Sequence, residues 1–303
     1  MTTIEFGQRI DESIVLTLGY MDCVHIGHRK LIAEAGKAAE FLRDFTGARV
    51  CTAAFTFSNN PFSVLKKDIL PIYDLQTRLK KLNTDYAVTA EFDEQFARLS
   101  APGFLDKLIN TADIRAVVAG ADYKFSADAA ADIGFLRDYL SARGVSLIVA
   151  DTVKVNGEKV ASSKIRGLLS EGKVKEANVL LGEPYTVCGT VVRGRRVGSS
   201  IGFPTANVKP DDGLTRLKEG VYATKTRVNS GCFMSITNVG SRPTFGGSEY
   251  MYETHIDGIN YDLYGKYTEI EFIDRMRDTV KFEGVKELSE QLEKDKKIFN
   301  SFY

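Results

Sequence analysis

The feature that most constrains the fold is a change of hydrophobic period partway along the chain. From residue 13 to residue 153, apolar β-rich runs alternate with segments of helical spacing. The runs SIVLTLGY (13–20), ARVCTAAFTF (48–57), YAVTAEF (86–92), IRAVVAGAD (114–122) and SLIVADTV (146–153) read as strands. Between them HRKLIAEAGKAAEFLRDF (28–45), LQTRLKKLN (75–83), APGFLDKLIN (101–110) and ADIGFLRDYLSAR (131–143) read as helices. In the first helix Leu31, Ala35, Ala38, Leu42 and Phe45 fall near one face. Strands separated by helices imply a parallel sheet with helices on both faces.

Ser162 and Ser163 suit the N-terminus of a further helix carrying Ile165, Leu168 and Leu169, and Gly182-Glu183-Pro184 punctuates the chain. Beyond it the period becomes that of strands alone. YTVCGTVV (185–192), GVYATKTRV (220–228), CFMSITNV (232–239), MYETHI (251–256) and KYTEIEFI (266–273) are β-rich runs separated by turn residues, the pattern of an antiparallel barrel. An amphipathic helix, 284–302, closes the chain. Two domains are therefore expected, 1–183 and 184–303.

Composition narrows the partners. Lys+Arg and Asp+Glu both total 40, so no global charge favours nucleic acid or an anionic membrane. Cys23, Cys51, Cys188 and Cys232 are scattered, and none forms a Cys-x-x-Cys pair. That usage fits a reducing compartment. The N-terminal stretch has no apolar signal core and no run is long enough to span a bilayer, so a cytoplasmic location is expected.

Three stretches carry chemistry. HIGH (25–28) lies between the end of a parallel strand and the start of a helix, where open α/β sheets bind ligands and free helical N–H groups favour phosphate. A metal reading is weaker: His25 and His28 have only Cys23 nearby and lack the i, i+4 spacing of a zinc-protease helix. SSKIR (162–166) places two hydroxyls at a helix N-terminus and Arg166 one turn in, a sensible polyphosphate clamp. RGRRVGSSIGFPTANV (193–208) is the most specific stretch. Gly194, Gly198 and Gly202 permit a tight loop, Arg193, Arg195 and Arg196 add charge, and Pro204 precedes Thr205 and Asn207 on one side of an extended segment. Their neutral oxygens suit a hard cation such as Mg²⁺ held with nucleotide phosphates.

HIGH and SSKIR resemble the two signatures of the nucleotidyltransferase superfamily, with Ser163 in a threonine position. GFPTAN (202–207), followed by GVYAT (220–224), NVGSRPTF (238–245), YETHI (252–256), DLYGK (262–266) and RDTVKF (277–282), resembles the riboflavin kinase module. Over essentially its whole length the chain resembles the bifunctional prokaryotic riboflavin kinase/FAD synthetases. That resemblance implies a Rossmann-like α/β nucleotidyltransferase domain followed by an antiparallel six-stranded β-barrel with a C-terminal helix. It implies phosphorylation of riboflavin to FMN and adenylylation of FMN to FAD with release of pyrophosphate, with ATP as co-substrate, Mg²⁺ as cofactor, and FMN and FAD as products.

It further implies roles residue by residue. Glu253 matches the catalytic glutamate, and Thr205 and Asn207 match the Mg²⁺–ATP ligands. Gly194, Arg195, Gly202, Phe203 and Pro204 belong to the kinase ATP loop, and Arg277 lies in the flavin-proximal stretch. His25 and His28 match the adenylyltransferase histidines. Asp22, Gly27, Asp122, Ser162, Ser163 and Arg166 match ATP- or FMN-binding positions. The expected partners are riboflavin, FMN and ATP, without nucleic acid or membrane, on a monomer or weak homo-oligomer. The first domain departs from the family pattern at Tyr20, Met21, Cys23, Asn59, Asn60, Ser126 and Ala131. These departures leave an alternative: a riboflavin kinase alone, with a degenerate adenylyltransferase domain.

Overall fold

The structure is a computed structural model describing residues 1–126, 130–193, 205–229, 231–244, 247–259, 262–280 and 285–299. The chain divides into two compact units, Met1–Ser162 and Ser163–Tyr303.

In the first unit, β1 (Thr2–Glu5), β2 (Ser13–Leu18), β3 (Val50–Phe57), β4 (Tyr86–Ala90), β5 (Asp113–Gly120) and β6 (Ser146–Ala150) form one sheet in the order β1-β4-β3-β2-β5-β6. Every pairing is parallel. The crossovers carry α1 (Ile26–Thr46), α2 (Pro61–Val64), α3 (Leu75–Leu82), α4 (Glu94–Ala97), α5 (Ala101–Ile109) and α6 (Ile133–Ser141). A two-stranded ribbon, β7 (Lys154–Val155) and β8 (Glu158–Lys159), follows.

The strands are apolar on both sides because both faces are covered. Ile14, Leu16 and Leu18 pack with Phe104 and Leu105 on one side, whereas Val15 packs with Leu31, Ala35 and Ala39 of α1 on the other. Phe45, expected on that helical stripe, is 80% exposed and stacks on Phe41. At about 100° per residue, positions 41 and 45 lie roughly 200° and 240° around the helix from Ala39, away from the sheet. β1 is short and polar, which is why hydrophobic period did not reveal it.

The second unit begins with α7 (Ser162–Glu171) and α8 (Val174–Leu181). A barrel follows, built from β9 (Tyr185–Val192), β10 (Thr205–Val208), β11 (Gly220–Val228), β12 (Gly231–Thr244), β13 (Gly247–Ile256) and β14 (Tyr267–Arg277). It is closed, in the order β10-β13-β12-β11-β14-β9, with antiparallel pairing throughout. The sixth strand, β10, is embedded in the stretch whose glycines and arginines dominate its sequence. Among the described residues the ring closes between β10 and β9 through two register pairs, Asn207↔Val192 and Val208↔Val191.

α8 belongs with the barrel by its bonds. Asn178 Nδ2 donates to Phe272 O at 2.8 Å, and Asn178 Oδ1 accepts from Tyr185 N at 2.7 Å. α8 thus lies within the second compact unit, Ser163–Tyr303.

Inside the barrel a chain of hydroxyls runs Thr226–Ser235–Thr224–Thr237–Thr254, at separations of 2.8, 2.8, 2.8 and 3.0 Å. Each buried hydroxyl is thereby paired, as burial in a low-dielectric interior demands. α9 (Val285–Phe299) seats Phe299 against Val221, Ala223 and Ile236 on the barrel wall.

Candidate active sites

The first site forms where β2 gives way to α1. Met21 and Val24 adopt left-handed backbone, at φ 55° and 45°. For β-branched Val24 that conformation is strained, and it sits immediately before His25. Cys23, which replaces a family glycine, does not adopt positive φ. Ser126, which also replaces one, does, at φ 67°.

His25 is the N-cap of α1: its Nδ1 accepts from His28 N at 3.2 Å. An accepting Nδ1 carries no proton, so the neutral ring holds its proton on Nε2. Burial lowers the His25 pKa to about 4, and burial together with neighbouring His25 lowers that of His28. Both rings are neutral near pH 7. The rings stack with centroids 3.7 Å apart and planes 9° from parallel. Ring-nitrogen lone pairs lie in the ring plane, and two near-parallel planes at that separation do not converge on one ion, so the pair is unsuited to shared metal ligation. A Cβ on Gly27 would lie 3.0 Å from His25 Cε1 and 3.1 Å from Nδ1, so glycine lets the ring fold back over the helix start.

These histidines line a cleft of about 380 Å³ with Gly27, Asp122 and Ser162. Sequence reasoning thus anticipated five of its residues and missed Tyr123, Lys124, Thr152 and Lys159 among others. Lys159, on β8, forms an ion pair with Asp122. Asp22 is 2% exposed and does not line the cleft; its Oδ1 accepts from Ile72 N at 2.9 Å. Cys23 Sγ lies 3.5 Å from Ser162 Oγ. Ser163 and Arg166 fall in the second unit, on α7.

A second cavity of about 630 Å³ lies at the same end of the sheet. Its walls include Phe55, Phe57, Phe62, Phe92, Phe96 and Phe125. The signal was present in the sequence: Phe57, Phe92 and Phe125 stand at or just beyond the carboxyl ends of three parallel strands. The departures Asn59 and Asn60 brace the backbone of two residues that line this cavity, Phe92 and Phe62. Asn59 clamps the Phe92 backbone, donating from Nδ2 to its carbonyl at 3.0 Å and accepting its N–H at 2.8 Å. Asn60 caps α2, accepting from Phe62 N at 3.1 Å. Ala131 is buried and pairs its backbone with Phe125. Arg78, 2% exposed, ties the strand ends together by donating to Tyr20 O, Thr56 Oγ1 and Phe57 O at 3.3, 3.0 and 2.9 Å.

The third site is on the barrel. Register pairs Asn207 with Glu253, Glu253 with Asn238, and Thr205 with His255. Directly opposed residues share a face. Thr205, Asn207, Glu253 and Asn238 therefore gather on the outer face, because Tyr252 and Thr254 point inward, where they are fully buried. Asn207 Nδ2 donates to Thr205 O at 3.4 Å. Tyr250 and Tyr252 are 4% and 1% exposed and serve as barrel packing. Tyr264 is exposed, with the Arg193 guanidinium 4.8 Å from its ring centroid. Arg277 directs its guanidinium to Asp295 on α9. Gly194, Arg195, Gly202, Phe203 and Pro204 lie outside the described residues, as do Arg196, Gly198, Tyr261 and Lys281.

Among the described residues no helix is long and apolar enough to cross a membrane. Two family models match: FAD synthetase over residues 7–164 and riboflavin kinase over residues 181–303. The bifunctional riboflavin kinase/FMN adenylyltransferase of Bacillus subtilis is 35% identical, over 93% of this chain and 90% of its own length. That of Listeria monocytogenes is 33% identical, over 97% and 93%. A crystal structure described as a macrolide-efflux protein from Streptococcus pneumoniae superposes with a TM-score of 0.87 at 30% identity, covering 99% of both chains. Motifs, architecture and relatives agree, and the chain belongs to the bifunctional riboflavin kinase/FMN adenylyltransferase family.

Proposed function

We propose that the two activities of this flavin-synthesising enzyme divide between the domains 1–183 and 184–303. The barrel transfers a phosphoryl group from ATP to riboflavin, and the histidine cleft joins the resulting FMN to the adenylyl group of a second ATP, giving FAD and pyrophosphate. The observation that carries this reading is the cross-strand register of Asn207 with Glu253. It aligns a carboxylate with neutral oxygen ligands on one outer face of the barrel, where Asn207 is buried and Glu253 half-buried. Glu253 accepts the proton of the ribityl 5′-hydroxyl as that oxygen attacks the γ-phosphorus.

Mg²⁺ is the family's cofactor, and the residues suit it: the Thr205 hydroxyl and Asn207 amide oxygen are hard donors on one face of β10. Bound there, Mg²⁺ offsets phosphate charge. Family resemblance assigns Gly194, Arg195, Gly202, Phe203 and Pro204 to ATP binding, and Arg277 approaches the flavin only if it leaves Asp295.

In the first domain the aromatic cavity takes the isoalloxazine ring, and the histidine cleft takes ATP. Neutral His25 and His28 donate to phosphoryl oxygens as negative charge develops. Ser162, Ser163 and Arg166 hold the departing pyrophosphate, while Asp22 and Asp122 shape the pocket. No covalent enzyme intermediate is needed, because alignment and charge stabilisation suffice. The free cysteines suit the cytoplasm. The enzyme acts as a monomer or weak homo-oligomer, without nucleic acid or membrane.

A product assay tests this. Purified protein with riboflavin, ATP and Mg²⁺ is sampled over time and its flavins are separated by chromatography. FMN followed by FAD is expected. FMN alone, with supplied FMN also unchanged, would assign the chain a kinase activity only.

A further inference from the structure

The histidine cleft and the aromatic cavity meet. Four residues line both: Gly19, Tyr20, Tyr123 and Lys124. Of these only Lys124 carries charge. Lys159 lines the histidine cleft alone and is paired with Asp122, and Lys67 lines the aromatic cavity alone. The histidines are neutral and contribute no net positive charge.

The reaction places a severe electrostatic demand on this junction. The attacking group is a phosphate monoester carrying about 1.5 to 2 negative charges near neutrality. It must approach a polyphosphate of the same sign. One of its oxygens bonds to the α-phosphorus, the bond from that phosphorus to the α,β-bridging oxygen breaks, and pyrophosphate leaves with the electron pair. A cation standing between the two binding sites offsets that repulsion.

We infer that Lys124 is a catalytic residue of adenylyl transfer: its ammonium group binds the 5′-phosphate of FMN at the junction of the two cavities and steers it toward the α-phosphorus. The inference rests on the assignment of ring and nucleotide to these two cavities. It predicts that Lys124 recognises the flavin's phosphate and not its ring. Tyr20 lies on the same boundary, 6.2 and 6.0 Å from the ring centroids of Phe57 and Phe62, and so belongs to ring recognition.

The test uses the full chain and three readouts: the KM for FMN, the KM for ATP, and inhibition of FAD formation by lumiflavin, which has the ring but no phosphate and no hydroxyl to phosphorylate. Loss of a charge-assisted contact in Lys124→Met should raise the KM for FMN at least about tenfold. The KM for ATP and the lumiflavin inhibition constant should stay within about twofold, and Lys124→Arg should recover most of the loss. An unchanged KM for FMN in Lys124→Met, with lumiflavin still inhibiting, would overturn the role of Lys124 alone. Failure of lumiflavin to compete with FMN in the unmodified protein would overturn the assignment of the aromatic cavity, and the inference with it.

Discussion

Arg277 and Asp295 lock the C-terminal helix to the barrel through a two-pronged ion pair. Nε reaches Oδ1 at 2.8 Å and Nη2 reaches Oδ2 at 2.6 Å. Asp295 is fully buried, and Gln291 Nε2 adds a third donor at 2.9 Å. Removing one member strands the other charge in the interior. Arg277→Met should therefore destabilise the barrel by about 3 to 5 kcal/mol in urea unfolding, and Arg277→Met/Asp295→Leu should regain most of that. A riboflavin KM raised about tenfold in the stable double variant would show that the arginine also touches flavin.

Gly189 leaves room for Val208. A Cβ at position 189 would lie 2.6 Å from Val208 Cγ1, on the strand that carries Thr205 and Asn207. Gly189→Ala should destabilise by about 1 to 3 kcal/mol through overpacking. It should also depress riboflavin phosphorylation more than FAD formation from supplied FMN. Adding Val208→Ala should restore both quantities, measured by urea midpoint and product assay.

The depressed His25 pKa makes stability depend on acidity. Between about 4, where the folded chain protonates it, and its ordinary 6.5, the unfolded chain binds a proton that the folded chain refuses. Stability from this group is thus full above pH 6.5 and declines as pH falls toward 4, by about 3 kcal/mol in all. His25→Asn retains an N-cap while removing the titration. Urea midpoints of this variant should fall less steeply than those of the parent between pH 6.5 and 4.5.

The two chemistries should separate by mutation. Glu253→Gln should lower FMN formation by about 10²- to 10⁴-fold and leave adenylylation of supplied FMN intact. His28→Ala should lower FAD formation by about 10²- to 10³-fold and leave the kinase intact. Chromatographic product ratios read both. Full kinase activity in Glu253→Gln would remove the base assignment.

Much of this was legible in the sequence because period and chemistry coincided. β9 and β11 run from the first to the last residue expected of them: Pro184 precedes β9, and β11 opens on Gly220 and is followed by Asn229. HIGH announced the helix entry because a histidine at an N-cap is also a phosphate donor. What escaped depended on distance along the chain. Asp295 stands 18 residues from Arg277 and its burial has no local signature. Lys124 looked like an unremarked surface residue until two cavities converged on it. β10 hid among glycines and arginines that read as loop. Asn59 and Asn60 looked like losses from a family motif, yet each satisfies backbone groups that would otherwise lack partners.

The short joint between β9 and β10 gives the barrel wall a zip. Among the described residues the other joints are knit by four to ten register pairs, and this one by two. Native-state breathing begins where the ladder is thinnest. The amides of Thr205–Val208 are then the first of the wall to trade their hydrogens for deuterium. Thr205 and Asn207, proposed above as the oxygen ligands, stand on the strand that loosens most readily, so a nucleotide bound there would fasten the cylinder at its seam.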